Sequence, residues 1–124
     1  MAVSLFDQHY IRNREGSLVV NISEVDNEAT IVLNGNLVQK CVGPKGFLGY
    51  EDNFRGRLRS GRPNILVITL ANYKTTSQKG GPNPTSMKGK VVIGEDDYNI
   101  SVVENEKNQG IRAQFVFVID GVDG

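Results

Sequence analysis

The sequence predicts an all-β protein, a single antiparallel β-sandwich of about eight strands. Three observations carry that prediction. Apolar and polar residues alternate with a period of two through most of the chain, which is the pattern of half-buried strands. Clusters of Gly, Asn, Pro and Asp punctuate the alternating runs, and 14 of the 124 residues are glycine, as frequent short turns require. Asn34-Gly35 stands between two such runs; it is the strongest short-range hairpin signal, because a type I′ turn needs positive φ at both central residues. A mass of 13.6 kDa fits one domain over residues 1–124.

Residues 4–12 admit two conformations. Ser4 followed three residues later by Asp7 suits a helix N-cap, with Leu5, Phe6, His9 and Tyr10 along one side of a short helix; an extended edge segment fits the same residues. In residues 17–22, Leu18, Val20 and Ile22 alternate with Ser17, Val19 and Asn21, predicting a strand. Residues 29–33 and 36–42 flank the Asn34-Gly35 turn. A two-residue loop then sets Leu33 opposite Asn36, Val32 opposite Leu37 and Ile31 opposite Val38. Further strands are expected at residues 53–59, 64–71, 89–93, 98–103 and 111–119. In the last of these Ile111, Ala113, Phe115, Phe117 and Ile119 share one face, which marks a central core strand. Residues 74–87, KTTSQKGGPNPTSM, have no apolar period and are expected to form an exposed loop.

Composition excludes several classes. Hydrophobic residues at 39% with 23% charged are enough to build a core, against a disordered chain. The longest apolar runs, residues 65–68 and 115–119, fall far short of the roughly 20 residues that a spanning helix needs, so no membrane span is expected. No basic segment followed by an apolar one opens the chain, which makes a cytoplasmic location the expectation. Cys41 is the single cysteine and His9 the single histidine, so neither an internal disulfide nor a Cys/His zinc set is expected. The formal net charge is zero but unevenly spread: residues 40–90 hold ten Lys or Arg against Glu51 and Asp52, and the remainder is acidic to the same extent. Oppositely charged surfaces of that kind favour a homo-oligomer held by contacts that weaken with salt.

Residues 28–73, EATIVLNGNLVQKCVGPKGFLGYEDNFRGRLRSGRPNILVITLANY, resemble the jelly-roll sugar-binding domain of the β-galactosidase and β-glucuronidase group of glycosidases. In that family a strand A-T-V-x-L-N-G opens a hairpin, then come a glycine- and aromatic-rich loop, a strand beginning with Phe, and G-x-N-x-L-x-V-x-x-x-N. Residues 29–35, 43–50, 54–58 and 61–72 match these parts in order, with Pro63 interrupting the last spacing and no Trp anywhere in the chain. The resemblance implies a jelly-roll-like sandwich and a glycan partner. Within it, Tyr50 and Tyr73 flank strands, and a tyrosine ring can lie against the apolar face of a pyranose while its hydroxyl hydrogen-bonds. The expected ligand-binding residues are therefore Tyr50 and Tyr73, standing near one another, with Asp52, Asn53 and Asn72 to bridge paired hydroxyls.

Residues 94–103, GEDDYNISVV, resemble the acidic D-x-D-Y-N segment of small calcium-dependent bacterial lectins. That resemblance implies Ca²⁺ held by Asp96, Asp97 and Asn99, with Glu95 outlying; oxygen ligands at short spacing suit a hard cation. Ile100 and Ser101 stand where the family has a further Asp.

If residues 53–59 form a strand, Arg55, Arg57 and Arg59 project to one side as a basic ridge. Arginine forks suit carboxylate, phosphate or sulfate, whereas the same charges also guard a sheet edge against aggregation. Nucleic acid is not the expected partner, because the sequence pI is about 6.6, well below that of typical binders. Catalysis is not expected either: His9 lacks any nucleophile motif around it, Cys41 on the return strand reads as a small buried hydrophobe, and Glu51 and Asp52, being adjacent, diverge. The expected function is that of a non-catalytic, lectin-like carbohydrate-binding module. The alternative is a structural, assembly or inhibitor-type protein whose partner is another protein; an anion- or nucleic-acid-binding module using the arginines ranks third.

Overall fold

The computed structural model describes residues 5–73, 85–104 and 110–123. Nine strands follow one another: β1 (Leu5–Arg12), β2 (Leu18–Leu33), β3 (Asn36–Gly43), β4 (Tyr50–Asn53), β5 (Asn64–Asn72), β6 (Thr85–Ile93), β7 (Asp96–Asn99), β8 (Val102–Glu104) and β9 (Gly110–Asp120). No helix occurs among the described residues, so none there is long and apolar enough to cross a membrane. The protein is all-β, and the first segment takes its extended form. The expected exposed loop at 74–87 lies outside the described residues up to 84; residues 85–87 already belong to β6.

The strands make one curled mixed sheet, a half-barrel wrapped around its core. Its hinge is β2. Residues Leu18 to Asp26 pair with β6, and Val19 to Ile22 also with β4; Glu28 to Leu33 pair with β5, and Asn27 to Leu33 with β3. One part, sheet A, therefore reads β1-β9-β5-β2-β3, and the other, sheet B, reads β4-β2-β6 with β7 and β8 beyond. The sequence explains how one strand serves both. Leu18, Val20 and Ile22 are buried, and the buried set then slips phase to Val25, Ala29, Ile31 and Leu33. Ser23 absorbs the slip as a β-bulge between Ile22 and Glu24, which bends and twists a strand. A strict period of two breaks there, so sequence alternation divides into two strands what the backbone joins.

Other differences from expectation have equally local causes. The antiparallel rule fails at one edge: β1 runs parallel to β9, from Leu5 opposite Ala113 to Arg12 opposite Asp120. Parallel neighbours need a long connection, and here nearly the whole chain lies between them. The Asn34-Gly35 turn forms with both φ positive, 51° and 82°. Leu33 faces Asn36 and Val32 faces Leu37, as the turn dictates, but a bulge then sets Ile31 opposite Gln39 instead of Val38. Residues 53–59 are not a strand. Extended structure stops at Asn53, and turns follow, with Gly56 at φ 87° and the Arg57 amide donating to the Phe54 carbonyl at 2.9 Å. Residues 98–103 break into β7 and β8 because Ile100 turns fully into the core. In β9 a bulge at Arg112, opposite the Leu70–Ala71 step of β5, exposes Ile111 and buries Arg112, where its guanidinium meets Glu104 at 2.7 Å. Ala113, Phe115, Phe117 and Ile119 keep the expected core face.

The core fills the concave side, with Phe54, Phe117, Leu18, Ile22 and Ile68 among its fully buried members. At the open mouth His9 of edge strand β1 stacks on Phe117 at 5.2 Å and meets Tyr98 of edge strand β7 at 4.9 Å. These rings join the two far margins of the curled sheet. Cys41 is buried in the core, and burial pushes its thiol up from the ordinary range, as suits a packed hydrophobe.

Candidate functional site

Strand β4 pairs Tyr50 with Ile22 and Asp52 with Val20, both core-facing positions of β2, so Tyr50 and Asp52 turn inward and Glu51 and Asn53 outward. The Tyr50 hydroxyl donates to Asp52 Oδ2 at 2.9 Å, and Arg57 donates to Asp52 Oδ1 at 2.6 Å. Burial first, and then the Asp52 carboxylate, push the Tyr50 phenol well above its usual range. The Arg57 hydrogen bond holds Asp52 below the usual carboxylate range, against its own desolvation. Asn53 accepts from the Arg55 amide at 2.9 Å, and the Arg57 guanidinium lies 4.4 Å from the centre of the Phe54 ring. Tyr50, Asp52 and Asn53 are thus brought together as one network with the following turn.

Asn72 and Tyr73 are placed elsewhere. Asn72 is buried at the end of β5, and the Tyr73 amide donates to Asn27 Oδ1 at 3.0 Å. Tyr50 sits against Ile22 and Tyr73 beside Asn27, five residues and about 16 Å apart along β2 by strand rise. Strand pairing therefore gives the two rings no common site. The arginine ridge does not form, because its residues lie in turns and not on a strand. Arg57 is held by Asp52, and the Arg59 guanidinium donates to the Pro63 carbonyl at 2.6 Å.

In β7 Asp97 pairs with Val92 and Asn99 with Lys90; alternation puts these two on the outer face and Asp96 on the other. Asp97 lies 3.9 Å from Lys90 Nζ, and Asn99 Oδ1 accepts from the Ser101 amide at 3.0 Å. Among the described residues no three His, Cys, Asp or Glu side chains group as a metal site.

A constellation that sequence spacing did not single out lies across the outer face of sheet B. Register places Glu51, Asn21, Lys90 and Asn99 side by side on β4, β2, β6 and β7. Asn21 Nδ2 donates to Glu51 Oε1 at 3.1 Å. Beside this row lies an open depression of about 420 Å³ lined by Asn21, Ser23, Lys88, Gly89, Lys90, Asp97, Asn99 and Ser101. A second, of about 430 Å³, adjoins it at Asn21 and Ser23 and reaches Leu48, Gly49, Tyr50 and Glu51. Gly89 is required here: a Cβ would collide with the Asn21 carbonyl oxygen. The Gly89 amide donates to Ser101 Oγ at 3.2 Å, which ties down the break between β7 and β8. The available sequence signal was the outward partner set of the alternation, Asn21 and Ser23 after Val19, but only register shows that Glu51, Lys90 and Asn99 join it.

No family model, curated protein or solved structure matches the chain.

Proposed function

We propose that the protein is a non-catalytic carbohydrate-binding module whose glycan lies on the outer face of sheet B. The supporting observation is the transverse row Glu51, Asn21, Lys90 and Asn99 beside a glycine-floored depression. Amide, carboxylate and ammonium groups offer the mixed donors and acceptors that vicinal hydroxyls need, each in a fixed place on a rigid sheet. At Gly89 a sugar ring approaches the backbone closely. At the far lip Leu48, 98% exposed, supplies apolar surface for the C–H face of a sugar. The lectin-like reading is thereby moved from the paired tyrosines, whose Tyr50 packs inward, to the neighbouring outer surface.

One shallow site of this kind binds weakly, on the order of 0.1–1 mM, or about 4–5 kcal/mol. The test is a glycan panel run with and without calcium, followed by NMR titration of the best binder. Side-chain amide signals of Asn21 and Asn99 should move, and Asn21→Ala or Asn99→Ala should remove binding with the fold intact. Binding that survives both substitutions, or that shifts signals only around Asn72 and Tyr73, would reject this surface; no binding across the panel would reject the function.

A further inference from the structure

We propose that the outer face of sheet A docks a second copy of the chain. Sheet A buries one face in the core, and its other face carries a transverse apolar band beside the polar row Gln114, Thr69, Thr30 and Lys40. Register aligns Val116, Val67, Val32 and Leu37 across β9, β5, β2 and β3, each opposite the buried side of its strand. Beside that row stand Ile65 and Tyr10, and Leu37, Ile65 and Tyr10 are 61%, 43% and 65% exposed. The sequence carries the same message, since residues 65–68 and 115–119 are uninterrupted apolar runs. Strands that read this way are those that folds cover on both faces.

Two features choose a copy of the same chain as the cover. The first is electrical. The charged side chains at the corners of the face come in opposite pairs, Arg12 opposite Asp120 and Lys40 3.5 Å from Glu28. The face has no net charge, so an identical face meets no excess of like charge, and a strongly charged partner finds no complement. The second is area. Five strands at about 4.8 Å spacing, three residue pairs deep, give a face of about 500 Å² in plan. Two copies together bury about 1,000 Å², the lower bound for a specific interface. Isologous pairing of one self-complementary patch is also the commonest route to a symmetric dimer. This surface lies on the other half of β2 from the proposed glycan site, and its test is independent of sugar.

Sedimentation equilibrium of the full chain from about 10 µM to about 500 µM should show the mass rising toward two copies. Because the contact is apolar, the association should persist at high salt. Leu37→Lys and Ile65→Lys, at exposed positions, should each weaken the association by roughly tenfold or more, with unchanged melting of the dilute monomer. If a variant fails to fold, Tyr10→Ser gives the same readout from a still more exposed position. A monomer at the highest concentration overturns the proposal. So does a dimer indifferent to the substitutions, and so does one that protects the outward β1 amides from hydrogen exchange, which would mean edge pairing.

Discussion

Asn64 is the residue whose replacement measures what holds the region behind β4 in place. It is fully buried, and its side chain bonds in four directions. Oδ1 accepts from the Arg59 amide at 2.8 Å and from Asn34 Nδ2 at 2.9 Å; Nδ2 donates to the carbonyls of Arg59 at 2.9 Å and Arg62 at 3.4 Å. One side chain thus clips the turn segment to the tip of the β2–β3 hairpin. Asn64→Leu keeps the branching of the side chain and removes every bond, leaving the Arg59 amide without this acceptor. At about 1 kcal/mol for each of the three short bonds, the loss is about 3 kcal/mol. With an unfolding entropy of about 0.26 kcal/mol/K for a chain of 124 residues, the melting temperature falls by about 10 °C. Asn64→Asp separates bonding from packing. Its ionised form sets an oxygen against the Arg59 carbonyl, and its protonated form restores a donor. The folded pKa is then raised above the unfolded value of about 3.9. The acid therefore binds its proton more tightly in the folded state, and the variant loses stability as pH rises from about 4 through the folded pKa. Urea titrations at several pH values check this. A Leu variant melting within about 2 °C of the parent, or an Asp variant with the parent's pH profile, would refute the reasoning.

Two further outcomes follow from the same geometry. Because Arg57 holds the Asp52 carboxyl low, their pairing contributes stability above the unfolded carboxylate pKa of about 3.9 and loses it as pH falls through the lower folded value. Arg57→Leu should move the acid-unfolding midpoint upward and raise the Asp52 titration seen by NMR; an unchanged Asp52 titration would mean the ion pair is absent in solution. Gly89→Ala places a methyl on the Asn21 carbonyl and should cost about 3 kcal/mol by forcing β2 and β6 apart, whereas Gly35→Ala meets open space and strains only its positive φ. Equal melting temperatures for these two variants would contradict the close approach at Gly89.

What the sequence made legible was whatever a short window decides. Alternation and the Asn34-Gly35 turn place β3, β5, the latter half of β6 and most of β9, whereas Thr85 and Met87, expected in an exposed loop, are buried at the start of β6. The segment after Asn53 defeated the same logic: Arg55, Arg57 and Arg59 alternate as a strand would, but Gly56 takes a positive φ and Asn64, from five residues beyond Arg59, supplies the bonds that keep the turns closed. Bulges at Ser23 and Arg112 defeated it differently, by reversing which parity of residues is buried. Of the site, Tyr50, Asp52 and Asn53 could be grouped from proximity in sequence. Glu51 with Lys90 or Asn99 could not, since only pairing across three strands sets them in a row.

The phase slip at Ser23 also accounts for the two dissimilar outer surfaces. Before it, the outward positions of β2 are Val19 and Asn21; after it they are Glu28, Thr30 and Val32. Both halves serve one core, so each half of the strand is free to carry a different outward set. Sheet B uses its set with Lys90, Asp97 and Asn99, which remain hydrated and suit a polar ligand. Sheet A aligns Val32 with Val67 and Val116, a surface that water solvates poorly. One strand thus carries a hydrated outer surface on one half and an apolar row on the other. Deleting Ser23 would restore a strict period of two and leave both buried sets facing inward, so what it removes is the local bend and twist by which β2 passes from one part of the curled sheet to the other.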